Sequence, residues 1–162
     1  MPTSQVPELL EMDAVTLARA IKTKQVSCRT VMDGFLNHID RINPQVNAIV
    51  SLQDRERLLE QADERDTQLA RGEYLGWLHG FPQAIKDVTA TKGIPTTQGS
   101  PLLRNFIPET DAFVVERMKK SGAIIIGKTN VPEFGLGSQT YNNVFGTTRN
   151  AYDQKKTAAP SC

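Results

Sequence analysis

Apolar residues in the N-terminal part of the chain recur three and four positions apart, the spacing that gives a helix one buried face. Val15, Leu17, Ala18 and Ile21 form the first such set, and Asp13 stands where its N-cap belongs. Val31, Phe35, Ile39 and Ile42, with Leu36 beside them, form a second set. Ser27 is placed to open that helix. Asn43-Pro44 is expected to end it, because the residue before a proline disfavours the helical region. Residues 48–52 predict a short strand. From Asp54 to Arg71 the sequence is dense in charge, and Leu58, Leu59, Ala62 and Leu69 make a thin apolar stripe. A helix with one solvated face is predicted there, closed by Gly72.

The pattern changes at Leu75. From there to Asn150 the chain is rich in Gly, Thr, Pro and Asn. Pro82 to Ile85 predicts a short strand that delivers Lys86-Asp87 at its end. Asp111 to Ser121 predicts a helix with Val114, Val115 and Met118 inward, and Gly122 breaks it. Ala123 to Ile126 is apolar at every position, as strands buried on both faces of a parallel sheet tend to be. This alternation of helix and strand predicts an α/β fold. Residues 1–74 would be a helical layer and residues 75–162 the start of a sheet-based core.

Composition and charge exclude several function classes. Lysine and arginine nearly balance aspartate and glutamate, leaving a formal charge of +1. That gives no electrostatic reason to expect a nucleic-acid or anionic-membrane partner. The longest apolar run, residues 123–126, is far too short to span a bilayer. The N-terminal residues lack the basic and apolar regions of a signal peptide. The two cysteines, Cys28 and Cys162, have neither metal-ligand spacing nor a disulfide pattern, so a reduced, cytoplasmic setting is expected. No metal or other cofactor is implied.

Three clusters carry candidate chemistry. The first is Lys86 at the end of an apolar strand. A lysine drawn into the interior loses hydration, which lowers its pKa and makes a neutral amine base available near neutral pH. Hydroxyl nucleophiles need such a base. The alternative is a surface Lys86-Asp87 pair at a turn. The second is Thr96-Thr97-Gln98-Gly99-Ser100, where small residues allow close backbone approach. The third runs from Gly127 to Ser138, beginning where a buried strand ends, the ligand-facing edge of an open α/β sheet. Gly122 to Thr129 also satisfies the P-loop pattern G-x-x-x-x-G-K-[ST]. Its middle is a β-forming run, however, which cannot wrap a phosphate with its amides. Nucleotide binding stands as the alternative reading of this cluster.

Four segments together resemble the amidase-signature family: LHGFPQAIKD at 78–87, TTQGS at 96–100, GAIIIGKTNVPEFGLGS at 122–138 and NNVFGTTRNAYD at 142–153. Their order and spacing carry the resemblance, which implies the N-terminal portion of that family's α/β fold: the helical layer and the first strands of a mixed sheet. It also implies cleavage of a linear carboxamide by a serine nucleophile, a second serine in a cis peptide bond, and a neutral lysine base. Residue by residue, Lys86 takes the place of that lysine. Phe134, Gly135, Leu136 and Gly137 would line the substrate channel. Lys128, Thr129 and Asn130 would brace the loops around the centre. A small amide is the implied substrate, and a homodimer is the open option for assembly. An amidotransferase A-subunit carries the same motifs, and a non-catalytic remnant or binding protein is the further alternative.

In the family the last segment leads into a Gly-Gly-Ser-Ser-Gly-Gly run. Here Ser161 falls where the first serine of that run belongs, 75 positions after Lys86, but Ala159 and Pro160 stand in place of glycines. Alanine and proline remove backbone freedom, and proline removes an N–H. Ser161 is thus a positional match only. The nucleophile and its oxyanion amides would come later in sequence, so these residues alone are expected to be inactive. A sheet without its central strands would expose edges, and marginal stability is expected.

Overall fold

The computed structural model describes residues 9–158, so Ala159, Pro160, Ser161 and Cys162 lie outside the described residues. The chain divides into two compact units. One comprises Met1–Ile39, Asp54–Gln83 and Arg117–Ile125, and the other Asp40–Gln53, Ala84–Glu116 and Ile126–Cys162.

In the first unit, helix α1 (Ala14–Lys22) starts at Asp13, whose carboxylate accepts the Thr16 N–H at 2.8 Å. Leu17, Ala20 and Ile21 form its buried face. Helix α2 (Cys28–Val46) begins after Ser27, whose Oγ accepts the Thr30 N–H at 3.0 Å. Helix α3 (Arg55–Ala70) is capped by Asp54, which accepts the Arg57 N–H at 3.0 Å. The caps at Asp13 and Ser27 are where the sequence places them, and Asp54, the first residue of the expected charged helix, caps the third. A fourth contact is not local. Asp66 on α3 accepts the backbone N–H groups of Cys28 (2.7 Å) and Arg29 (3.1 Å), so one helix satisfies the orphan donors of another. Between these helices Ile21, Val31, Met32, Leu36, Leu58 and Ala62 are sealed from water. Gly80 lies against this core: a Cβ there would sit 2.2 Å from the Cys28 Sγ. Buried His79 accepts the Leu75 N–H at Nδ1, which leaves Nε2 to donate to the Arg65 carbonyl at 2.9 Å.

Several sequence expectations need correction, beginning with Val15, which is exposed rather than on the buried face of α1. Helix α2 does not stop at Asn43 but continues through Pro44 to Val46. The Asn43 side chain ties the residues after the helix back onto its last turn. Its Oδ1 accepts the Ala48 and Ile49 N–H groups at 2.9 and 2.8 Å, and its Nδ2 donates to the Ile49 carbonyl at 2.8 Å. The stop comes at Asn47, in the left-handed region (φ 53°), a conformation that asparagine tolerates better than most residues. Helix α4 covers only Phe113–Lys120, and Val114 is exposed rather than inward. Val115 is the fully buried position of that helix.

Strands β1 (Pro82–Lys86) and β2 (Ile124–Thr129) form a two-stranded sheet. The Ile124 N–H donates to the Phe81 carbonyl near one end and the Asp87 N–H to the Thr129 carbonyl near the other. That order of pairing is the parallel one expected of an α/β chain. Residues 48–52, expected as a strand, instead run with Gln53 along β2 through an isolated bridge at Ile49–Thr129. Backbone bonds from Val50 to Lys128 (2.9 Å) and Gln53 to Ile126 (2.8 Å) hold them there. Strands β3 (Tyr141–Asn142) and β4 (Gly146–Thr147) pair antiparallel, which the sequence reading did not anticipate. Asn142 turns this hairpin: its Oδ1 accepts the Val144 and Phe145 N–H groups at 2.8 and 2.7 Å.

The approach of residues 48–53 to β2 depends on Gly127. A Cβ at that position would lie 2.3 Å from the Ser51 carbonyl oxygen and 2.9 Å from the Leu52 Cα. Both are backbone atoms and cannot swing aside. Gly127→Ala is therefore expected to destabilise the chain by about 2–4 kcal/mol. In urea this would appear as a lower midpoint at unchanged slope. A midpoint equal to that of the parent would show that the backbone relaxes freely.

Candidate functional site

The second unit gathers the polar residues that the sequence singled out. Lys86 is the last residue of β1 and is half-buried. Asp87 follows it and is fully buried, which rules out an exposed Lys86-Asp87 pair. Alternate residues at a strand end point to opposite sides, so the two side chains diverge. The Asp87 carboxylate accepts the Thr97 N–H (3.1 Å), the Thr97 hydroxyl (2.6 Å) and the Gly99 N–H (3.4 Å). Thr97 Oγ1 in turn accepts from Gly99 N–H at 3.0 Å. The cluster at 96–100 is thereby wrapped around one carboxylate.

Lys128, near the end of β2, has no exposed surface. Its amine donates to the Thr89 carbonyl, to Thr91 Oγ1 at 3.0 Å and to Thr96 Oγ1 at 3.1 Å. Burial pulls its pKa down to about 8, against the opposing pull of the Asp87 and Asp111 carboxylates. Burial likewise pushes the Asp87 carboxyl up, opposed by the donors from Thr97 and Gly99 and by the Lys128 charge. Each group thus keeps its charge partly through the other. Asn130, two residues on, donates to the Gly146 carbonyl (3.1 Å) and Thr148 Oγ1 (3.0 Å), and accepts from Asn142 Nδ2 (2.7 Å). Lys128 and Asn130 therefore do brace loops, as expected of them. The P-loop alternative loses its basis: Ile124–Thr129 is a strand and the Lys128 amine is committed to threonine oxygens.

Phe134, Gly135, Leu136 and Gly137 are all exposed. Glu133–Gly135 is a single 3-10 turn in which Phe134 (φ 53°) and Gly135 (φ 72°) are both left-handed. For a phenylalanine that conformation is strained. It is held by a 2.7 Å bond from the Phe134 N–H to the Gln98 carbonyl, while the Gln98 N–H donates to the Asp87 carbonyl at 3.2 Å. Ser100 Oγ donates to the Glu133 carboxylate at 2.7 Å. The loop is thus connected by hydrogen bonds to the residue adjoining Lys86. Leu136 and Gly137, with Glu133, Ser138, Gln139 and Tyr141, line a cleft of about 410 Å³. Ser161 lies outside the described residues. Among the described residues no group of three or more His, Cys, Asp or Glu side chains could hold a metal ion, and no helix is long and apolar enough to cross a membrane.

A family profile described as Amidase matches residues 30–162. The chain belongs to the amidase-signature family. It is 43% identical over 146 residues to the A-subunit of the glutamyl-tRNA(Gln) amidotransferase from Acidothermus cellulolyticus, an overlap of 90% of this chain and 29% of that protein. Among solved structures it is similar to the peptide amidase of Stenotrophomonas maltophilia, with 30% identity and a TM-score of 0.83 over 93% of this chain and 32% of the other. It is also similar to a chain from a vestigial protein complex connected with the origins of an s-triazine catabolic enzyme, with 34% identity and a TM-score of 0.85 over 93% and 33%. The chain thus spans about a third of the length of the proteins it matches. Its mixed helix and strand architecture is that of amidase-signature enzymes over this portion.

Sequence reading did not assign Asp87 a role in the amidase site. The available signal was an acidic residue at the strand end with the hydroxyl- and glycine-rich run 96–100 shortly after it.

The Lys128 amine loses its proton at about 8 in the folded chain, against the usual 10.5. Between those values the unfolded chain holds a proton that the folded chain has released, so this group's contribution to stability rises with pH across the window and is flat below it. Urea midpoints of the parent, referred to those of Lys128→Met, are expected to climb between about pH 8 and 10.5. A constant difference would mean that the amine keeps its ordinary proton affinity.

Proposed function

We propose that these residues supply the proton-accepting lysine and part of the substrate channel of an enzyme that cleaves the C–N bond of a linear carboxamide. Lys86 is the base. It would relay a proton from a cis-serine, which takes one from the nucleophilic serine, so that an acyl-enzyme forms and water releases it. Ser161 is the positional counterpart of the cis-serine. Phe134, Gly135, Leu136 and Gly137 form one wall of the channel. The observation that carries this reading is the placement of Lys86 at the end of β1, directly beside a buried and fully bonded Asp87, in a chain of this family. No cofactor enters the chemistry. A small amide is the substrate, and a cytoplasmic setting and a homodimer complete the reading.

A second reading has its own support. Identity to amidotransferase A-subunits reaches 43%, against 34% and 30% for the two structures above. On that reading the same lysine would serve the release of ammonia for transfer within a complex. Ammonia release that appears only with partner subunits present would favour it.

In the longest protein that the gene encodes, Lys86→Ala is expected to lower benzamide or acetamide turnover by about 10²–10⁴-fold, the usual contribution of a positioned base, without lowering the melting temperature. Equal turnover in variant and parent would remove Lys86 from the chemistry. The 162 residues contain no Gly-Gly-Ser-Ser-Gly-Gly run. By themselves they are expected to turn over neither amide above the Lys86→Ala background.

A further inference from the structure

We infer that Asp87 is the positioning residue for Lys86, and that the buried Lys128 holds Asp87 in the state that does this. The inference rests on the reading of Lys86 as the base, but concerns what fixes that side chain rather than what it does.

The geometry is that of a residue bonded at every polar atom. The Asp87 N–H donates to the Thr129 carbonyl on β2 at 3.1 Å, and its own carbonyl accepts the Gln98 N–H at 3.2 Å. Its carboxylate takes three further bonds, all from Thr97 and Gly99. The backbone on the C-terminal side of Lys86 is thereby fixed both to the neighbouring strand and to the 96–100 loop. With the peptide plane between residues 86 and 87 held, the direction in which the Lys86 Cα–Cβ bond leaves the strand is held too. The same loop carries the Gln98 carbonyl that holds Phe134 in its left-handed conformation. The Asp87 main chain thus joins the end of the base's strand to the loop that holds Phe134, and its carboxylate holds the Thr97–Gly99 turn that carries Gln98.

This works only while Asp87 is ionised. Its three side-chain bonds come from two backbone N–H groups and one hydroxyl. A protonated carboxyl could keep the Thr97 Oγ1 contact by donating to the hydroxyl's second lone pair, but it would hold the Thr97 and Gly99 N–H groups without the charge that strengthens those bonds. Lys128 immediately precedes Thr129, whose carbonyl accepts the Asp87 N–H, and its charge draws the carboxyl toward the ionised form. Its amine is fixed by the Thr89 carbonyl and the Thr91 and Thr96 hydroxyls, all three on the segment that leaves Asp87 and reaches Thr97. Removing that charge would favour a neutral Asp87 and loosen the wrap.

The test needs no turnover, so its failure is distinct from failure of the base assignment. In the 162-residue chain, with lysine side chains carrying ¹³C, the Lys86 methylene signals are assigned by their loss in Lys86→Arg. Their order is then measured by relaxation. Asp87→Asn keeps the shape but opposes an NH₂ to the Gly99 N–H, and Lys128→Met keeps the length but removes the charge. Both are expected to lower the order of Lys86 to that of the exposed Lys92, and a control at Lys155 is expected to change nothing. If either variant loses its folded circular dichroism, Thr97→Val, which deletes only the hydroxyl bond, takes its place and is expected to move Lys86 in the same direction. Unchanged Lys86 order in a folded Asp87→Asn or Thr97→Val chain overturns the inference. Loss of order in Asp87→Asn but not in folded Lys128→Met overturns the part assigned to Lys128.

Discussion

A lysine with no exposed surface is the constraint from which the second unit is built. Leaving an ammonium uncompensated in the interior would cost several kcal/mol. Lys128 avoids that through three oxygen acceptors and the nearby carboxylates of Asp87 and Asp111. Each acceptor lies on the segment between β1 and Thr97. The same unit buries Ile85, Ile94, Val115, Ile126 and Val131, so the buried charge adds to an apolar core rather than replacing one. Among the described residues no buried side-chain nitrogen or oxygen lacks a hydrogen-bond partner, as a polar interior of this kind requires.

The helical part of the chain was legible because its determinants are local. Asp13, Ser27 and Asp54 cap helices by bonding to an N–H three residues on, and that spacing is visible in sequence. The failures have equally physical causes. Pro44 predicts a helix end because its local cost is plain, while the bonds by which Asn43 secures the later end reach five and six residues further along. Val114 was assigned inward because adjacent valines look alike, and only packing distinguishes Val115 from it. The cross-helix cap at Asp66 joins residues more than thirty positions apart, and periodicity carries no trace of it.

For the candidate site the sequence offers a set of residues to propose, but not the bonds between them. Lys86 and the loop at 134–137 were visible from motif order. What joins them, Asp87 to Gln98 to Phe134, runs through main-chain atoms that every sequence possesses, so no residue type announces it. The strained φ of Phe134 likewise follows from tertiary bonding rather than from preference, since phenylalanine avoids that region. Gly127 and Gly80 were readable as glycines but not as points where another segment presses against the Cα.

On the proposed reading of Lys86 as the base these contacts have a purpose, since a proton relay works only if its base is held in a fixed direction. The account depends on Asp87 and Lys128 acting as one electrostatic unit. A double-mutant cycle tests this most directly, with urea unfolding of the parent, Asp87→Asn, Lys128→Met and the double variant. The account predicts that the double variant is less destabilised than the sum of the single variants, by a coupling of at least about 1 kcal/mol. Additive losses would mean that the two charges are buried independently, and would contradict it.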